Sequence, residues 1–300
     1  MSISSRSTPT PLTCMVGIQY AEADGIPLYL DLLYPYPLPD KPLPTVVDIP
    51  LSAWNEAHRG WAMSPSGNPF LAAHGFATAS ASVRLSQQAP FPAQLHDAKA
   101  IIRWLRANAQ PYSIDPEHIG VWGSSASGHL ASLLGLTADY PLLEGNSGSP
   151  GYSSQVQAVM TICAPSDFLS PGGEMINDAP LPHPVTQLFG GTVQERRELM
   201  RLASPLTHVN SDAPRFSLSM VRMMRPFLLN KGNVCTKLFK LLGPRRPSFR
   251  YKMPIIICVR TLLFPGKAIS GVQWVSWVYI SSNNISADKQ KQVWGEKRED

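Results

Sequence analysis

Short apolar runs alternate with longer amphipathic ones along the first two-thirds of the chain. Thr45–Ile49 (TVVDI), Phe76–Val83 (FATASASV), His118–Trp122 (HIGVW) and Gln157–Cys163 (QAVMTIC) are apolar or rich in β-formers, the pattern of strands buried in a sheet. Between them, Gln94–Ala109 places Ala98, Ile101, Ile102 and Leu105 three and four residues apart. That spacing predicts a helix with one apolar stripe and with Lys99, Arg103 and Arg106 turned away from it. Further helices are predicted over Leu130–Leu136 and Val193–Leu202, the second stopped by Ser204-Pro205. The proline-rich stretches Tyr34–Pro44 and Pro180–Pro184 read as connections. Strand and helix in alternation from about Gly17 to Pro214 predict an α/β fold, a mostly parallel sheet with helices on both faces. Beyond Pro214 no period is sustained.

Composition sharpens that break. The chain has 300 residues, 44% hydrophobic and 16% charged, with a net charge of +5, which suits one α/β domain with appendages. The charge is unevenly placed: residues 215–300 carry 16 Lys and Arg against 4 Asp and Glu, so the rest of the chain is acidic. The basic residues are scattered among apolar ones without a nucleic-acid-binding motif, so no nucleic-acid partner is expected. The four cysteines, Cys14, Cys163, Cys235 and Cys258, lack disulfide-framework or zinc spacing. The opening MSISSRSTPTPLTC has no apolar run of a secretory leader, and Val272–Ile280 is too short to span a membrane. A reduced, cytoplasmic setting is the expectation.

The chemistry concentrates at His118–Leu134, HIGVWGSSASGHLASLL, an apolar strand running through Gly123-Ser124-Ser125-Ala126-Ser127-Gly128 into a helix. A serine on such a turn is the arrangement in which a tight backbone lifts a nucleophilic hydroxyl above a sheet. Ser125 is then the candidate nucleophile, and the Ala126 amide is the candidate donor to an oxyanion. The pattern is G-x-S-x-S, with Ser127 where a second glycine is usual. A plain strand–turn–helix junction capped by serine is the competing reading.

Five segments widen the match: His74–Ser86, Ala89–Ala109, Ile114–Gly135, Ala164–Phe168 (APSDF) and Ala203–Pro214 (ASPLTHVNSDAP). In this order they resemble the BD-FAE-like carboxylesterase branch of the α/β-hydrolases, relatives of feruloyl and acetyl esterases. The resemblance implies an acyl-enzyme formed on Ser125 from a small-molecule ester, with a triad in the chain order Ser, Asp, His and no metal or organic cofactor. His129 matches a position beside the turn and is read as structural; Asp167 precedes the place of the triad acid and is read as fixing its loop. The acid and base remain unassigned, and so does the oligomeric state. A peptidase of the prolyl-oligopeptidase type shares the turn but usually carries a further domain.

The departures from the family are specific. Where members carry His-Gly-Gly, whose amides form part of the oxyanion hole, this chain has Pro50-Leu51-Ser52. All seven histidines precede Arg215, so none stands at the family's C-terminal base position. The chain thus divides into a flexible N-terminal tail (1–14), an incomplete hydrolase core (15–216) and a poorly ordered, non-family stretch (217–300). That stretch has the composition of a segment translated one nucleotide out of register. Shifted reading across Met220-Val221 gives glycine and across Met223-Met224 aspartate, both part of the missing acid motif. A retained intron or a gene-model error has the same signature. These losses imply impaired activity, and the alternative is a non-catalytic protein that keeps the pocket and binds a small molecule or partner.

Overall fold

The chain enters its sheet through a hairpin of two long strands, β1 (Leu12–Ala23) and β2 (Ile26–Pro35). They are joined at Asp24-Gly25, both at positive φ, the backbone that a tight hairpin with matching twist requires. The computed structural model describes residues 11–63, 67–138, 140–169, 183–210 and 213–219. Next come β3 (Leu43–Asp48), the short strands β4 (Leu51–Ser52) and β5 (Glu56–Ala57), and α1 (Asn68–Ala73). They are followed by β6 (Ala77–Ala81), α2 (Ala93–Ala107), β7 (Ile114–Ser124), α3 (Ala126–Leu136) and β8 (Ala158–Ile162). The last are α4 (Pro184–Phe189), α5 (Val193–Ala203) and β9 (Arg215–Ser219). Every strand and helix expected from the alternation is present. The hairpin β1–β2, the short strands β4 and β5, helices α1 and α4 and strand β9 are additions, and β1 begins at Leu12, inside the stretch 1–14 expected to be a tail.

Seven strands form one sheet in the order β1-β2-β6-β3-β7-β8-β9. β1 and β2 pair antiparallel, as do β2 and β6, and all later pairs are parallel. The connection from β3 through α1 to β6 runs toward the hairpin, whereas α2 carries the chain back across β3 to β7 and α3 onward to β8. Right-handed crossovers in opposite directions place α1 on one face and α2 with α3 on the other. Leu30, Leu32, Val47, Ile119 and Val121 from the strands share one buried cluster with Ile101, Ile102 and Leu105 of α2 and Leu130, Leu133 and Leu134 of α3. This core makes the sheet a fixed platform for the loops at its carboxyl edge.

One expectation fails. Lys99 and Arg103, placed on a solvent face by the spacing of α2, are completely and almost completely buried. The loop after α3 folds over that face of α2 and brings Glu144 to both cations, 2.8 Å from Lys99 Nζ and 2.5 Å from Arg103 Nη1. Arg103 also donates to the carbonyls of Glu144 and Ser147. Charge pairing across about forty residues overrides the helical stripe, since buried charges require partners. The expectation of weak order over 217–300 falls outside the described residues after Ser219.

Candidate functional site

The parallel strands aim their carboxyl ends at one edge, where open α/β sheets place ligands. Ser125 sits there, between the end of β7 and the first turn of α3, with φ 55 and ψ −121. Its N–H donates to Ile162 O on β8 at 2.9 Å, and its carbonyl accepts the His129 N–H at 3.0 Å, which ties the turn to the sheet and starts the helix. A non-glycine residue at positive φ stores roughly 1–3 kcal/mol of strain. The space explains the flanking glycines. A Cβ on Gly123 would stand 2.5 Å from the Ser127 carbonyl carbon, and one on Gly128 3.0 Å from Gly123 O and Ala164 Cβ.

The capping alternative is decided by the hydroxyl. Ser125 occupies the N-cap position without a side-chain cap bond. Among the described residues no group hydrogen-bonds its Oγ, and the residue is exposed. The hydroxyl is thus presented at the edge of the sheet and not consumed by the backbone beneath it. The amide of Ala126, first residue of α3, lies at a helix N-terminus where N–H groups have no intrahelical acceptor.

Ser127 takes a role that its place in the motif did not disclose. Its Oγ accepts the Leu51 N–H at 3.0 Å, donates to Ile49 O at 2.5 Å, and stands 3.0 Å from Leu51 O, all buried. The turn that follows β3 is thereby stitched to the base of α3. Pro50 has no N–H, and the Leu51 N–H is spent on Ser127, so neither is free to polarise a carbonyl. Just beyond, Ala53 and Trp54 both adopt positive φ.

His129 is fully buried and has both ring nitrogens engaged. The Trp54 Nε1–H can only donate, so Nδ1 of His129 accepts it at 3.2 Å. The proton then resides on Nε2, which donates to Ala203 O at 2.7 Å. Burial pushes the ring's pKa down to about 4, so it is neutral at physiological pH. This is a structural histidine. Asp167 is likewise local: its Oδ1 accepts the Leu169 N–H at 2.8 Å.

Most of the other histidines are occupied nearby. His74 bonds Phe70 O, His118 pairs with Asp115, His183 caps α4 through the Val185 N–H, and His208 bonds Leu202 O. His58 accepts the Gly60 N–H, whereas Nε2 of His96, although buried, has no hydrogen-bond partner among the described residues. His118 stands mid-way along β7, seven residues and about 20 Å of strand from Ser125. No described histidine ring hydrogen-bonds the Ser125 hydroxyl.

Asp48 escaped notice in TVVDI because it ends an otherwise apolar strand. It lies in register with Ser80 on β6 and Trp122 on β7, almost wholly buried, and burial pushes its carboxyl up to about 7. No helix of the described residues is long and apolar enough to cross a membrane.

Comparison with known proteins adds to this geometry. A family model described as BD-FAE matches residues 30–220. Esterase LipC of Mycobacterium tuberculosis is 32% identical over 185 residues, covering 60% of this chain and 44% of LipC. The probable carboxylic ester hydrolase LipM of the same organism is 29% identical over 180 residues, 58% of this chain and 39% of LipM. The chain thus spans less than half the length of these curated relatives. Among solved structures, a bifunctional GH43-CE protein of Bacteroides eggerthii superposes with a TM-score of 0.61 at 32% identity, over 68% of this chain and 30% of that one. A truncated carbohydrate esterase from gut microbiota gives 0.61 at 26% identity, over 77% and 86%.

Proposed function

The chain belongs to the BD-FAE family of α/β-hydrolase esterases, and from that premise we propose that it hydrolyses small carboxylic esters through an acyl-enzyme on Ser125, at an impaired rate. The observation that carries this is the Ser125 hydroxyl, held on a strained turn at the carboxyl edge of the sheet and bonded to nothing among the described residues. Its Oγ attacks the ester carbonyl, and the negative charge that develops on the carbonyl oxygen is met by the Ala126 N–H. The C–O bond to the alcohol breaks, the alcohol leaves with the proton from Ser125, and water then releases the acid and restores the hydroxyl.

Impairment is argued from two places. His129 is locked between Trp54 and Ala203, and no histidine follows His208 in the chain, so removal of the Ser125 proton lacks an evident base. Pro50 and the spent Leu51 amide leave Ala126 as the one oxyanion donor identified among the described residues, and a missing donor lowers the rate about a hundredfold or more. Relatives named as esterases favour this reading over a non-catalytic binding protein.

The test is release of p-nitrophenol from short-chain p-nitrophenyl esters by the wild type and Ser125→Ala. A slow rate that the substitution abolishes is expected. Equal, background-level rates in both proteins would overturn the proposal.

A further inference from the structure

A cavity of about 400 Å³ opens beside Pro50, lined by Asp31, Ala57, His58, Arg59, Gly60, Ala81 and Ser82 as well. Its walls come from the carboxyl ends of β3 and β6, from β2 and from the turn after β5. It lies on the same edge of the sheet as Ser125, yet shares no residue with the Ser125 turn.

The polar groups of this wall are unevenly satisfied. Each oxygen of the Asp31 carboxylate carries one hydrogen bond: Oδ1 accepts the Gly17 N–H at 2.8 Å, and Oδ2 accepts Arg59 Nε–H at 3.0 Å. Arg59 is fixed from three sides. Its Nε is held by Asp31, its guanidinium carbon lies 5.8 Å from the Tyr29 ring centre, and its carbonyl accepts the Ser80 hydroxyl at 2.8 Å. Both terminal nitrogens, Nη1 and Nη2, have no hydrogen-bond partner among the described residues. In the neutral ring of His58, Nδ1 accepts the Gly60 N–H at 3.1 Å, which puts the proton on Nε2, and Nε2 has no partner among the described residues either.

The cavity's one acidic group is therefore already paired with Arg59, whereas that guanidinium, oriented by Asp31 and Tyr29, has its terminal fork unused. A planar pair of N–H donors fixed in advance matches a carboxylate in bidentate geometry, with little ordering left to do on binding. We propose that this cavity is a binding site for a small carboxylate, held by Nη1 and Nη2 of Arg59 with His58 Nε2–H as a second donor. The site does not depend on Ser125 acting as a nucleophile.

The probe is benzoate, with benzamide as its uncharged counterpart, titrated at constant ionic strength into the full chain while the His58 ring resonances are followed by NMR. Benzoate shifts these resonances saturably with a Kd on the order of 1 mM, and benzamide leaves them unmoved. Arg59→Gln weakens benzoate at least tenfold. Should that variant lose its fold through the freed Asp31, His58→Ala, at an exposed position, is read instead from the benzoate-induced change in tryptophan fluorescence, with Trp61 lying 6.4 Å from the His58 ring. It too weakens benzoate, by a smaller factor. Equal shifts with benzoate and benzamide, no saturation by about 50 mM, or undiminished affinity in a folded Arg59→Gln protein overturns the assignment.

Discussion

The hydroxyl of Ser127 receives the N–H of Leu51 at 3.0 Å across 76 residues of chain, so the turn after β3 and the first turn of α3 are one hydrogen-bonded unit. The same oxygen donates to Ile49 O, so a single side chain satisfies a buried donor and a buried acceptor. Ser127→Ala leaves both unpaired. A buried donor stripped of its partner costs about 1–3 kcal/mol, and the variant should unfold at lower urea with an unchanged dependence on urea. An unaltered midpoint would mean that water or a backbone shift replaces the hydroxyl.

Gly123 and Gly120 lie in the same strand and differ sharply in what a methyl group would meet. At Gly123 the added carbon stands 2.5 Å from the backbone of Ser127, whereas at Gly120 the nearest atom is Ala158 O at 3.4 Å. Gly123→Ala must push α3 off the end of β7, with a loss of at least about 3 kcal/mol in stability, whereas Gly120→Ala changes it by less than about 1.5 kcal/mol. Thermal melts of the two variants side by side check this, and similar melting temperatures would contradict the turn geometry.

Asp97 is fully buried on α2 and takes three hydrogen-bond donors of one residue. Arg84 reaches it through its backbone N–H at 2.8 Å, Nε at 2.9 Å and Nη2 at 2.7 Å. Asp97→Asn keeps the shape and removes the charge, which leaves a largely buried guanidinium with only the exposed Asp24 as its ionic partner. A loss of about 3–5 kcal/mol is expected from denaturant unfolding, and a loss below about 1 kcal/mol would show that Asp24 alone compensates Arg84.

These relationships differ in how far the chain announces them. The Ser125 turn was legible because its requirement is largely local: Gly123 answers to Ser127 and Gly128 to Gly123, with Ala164 as the one distant contact named for them. The parallel strands were legible because burial on both faces leaves an unbroken apolar run. The hairpin was not, since β1 is an edge strand, mostly exposed and interrupted by two irregularities in its register, so its side chains do not alternate cleanly. Lys99 and Arg103 misled for a related reason. A charge at a helical position reads as solvent-facing until the loop bearing Glu144, more than forty residues on, is folded over it. Ser127 with Leu51, and His129 with Trp54, are long-range pairs, and neither partner's own neighbourhood in sequence points to the other.

Two buried groups pull the pH dependence of stability in opposite directions. The folded chain holds His129 neutral down to about pH 4, against an ordinary value of 6.5, so as pH falls below 6.5 the unfolded chain takes up a proton that the folded chain refuses. Stability from this group is complete above pH 6.5 and is lost toward pH 4. Asp48 does the reverse. Its carboxyl titrates near 7 when folded and near 3.8 when unfolded, so its contribution is complete below about pH 4 and is lost as pH rises to 7. Between about pH 4 and 6.5 the two slopes cancel, each being up to roughly 1.4 kcal/mol per pH unit. Asp48→Asn removes one of them. The variant should show stability that climbs with pH from 4 to 6.5, where the wild type is comparatively flat, and at pH 8 it should exceed the wild type by up to roughly 4 kcal/mol. Denaturant midpoints for both proteins at pH 4.5, 6 and 8 decide the matter, those pH values being spaced by about one titration range. Parallel curves would show that Asp48 is solvated in the folded chain, and a variant less stable at pH 8 would show that its carboxylate is held by a partner that asparagine cannot satisfy.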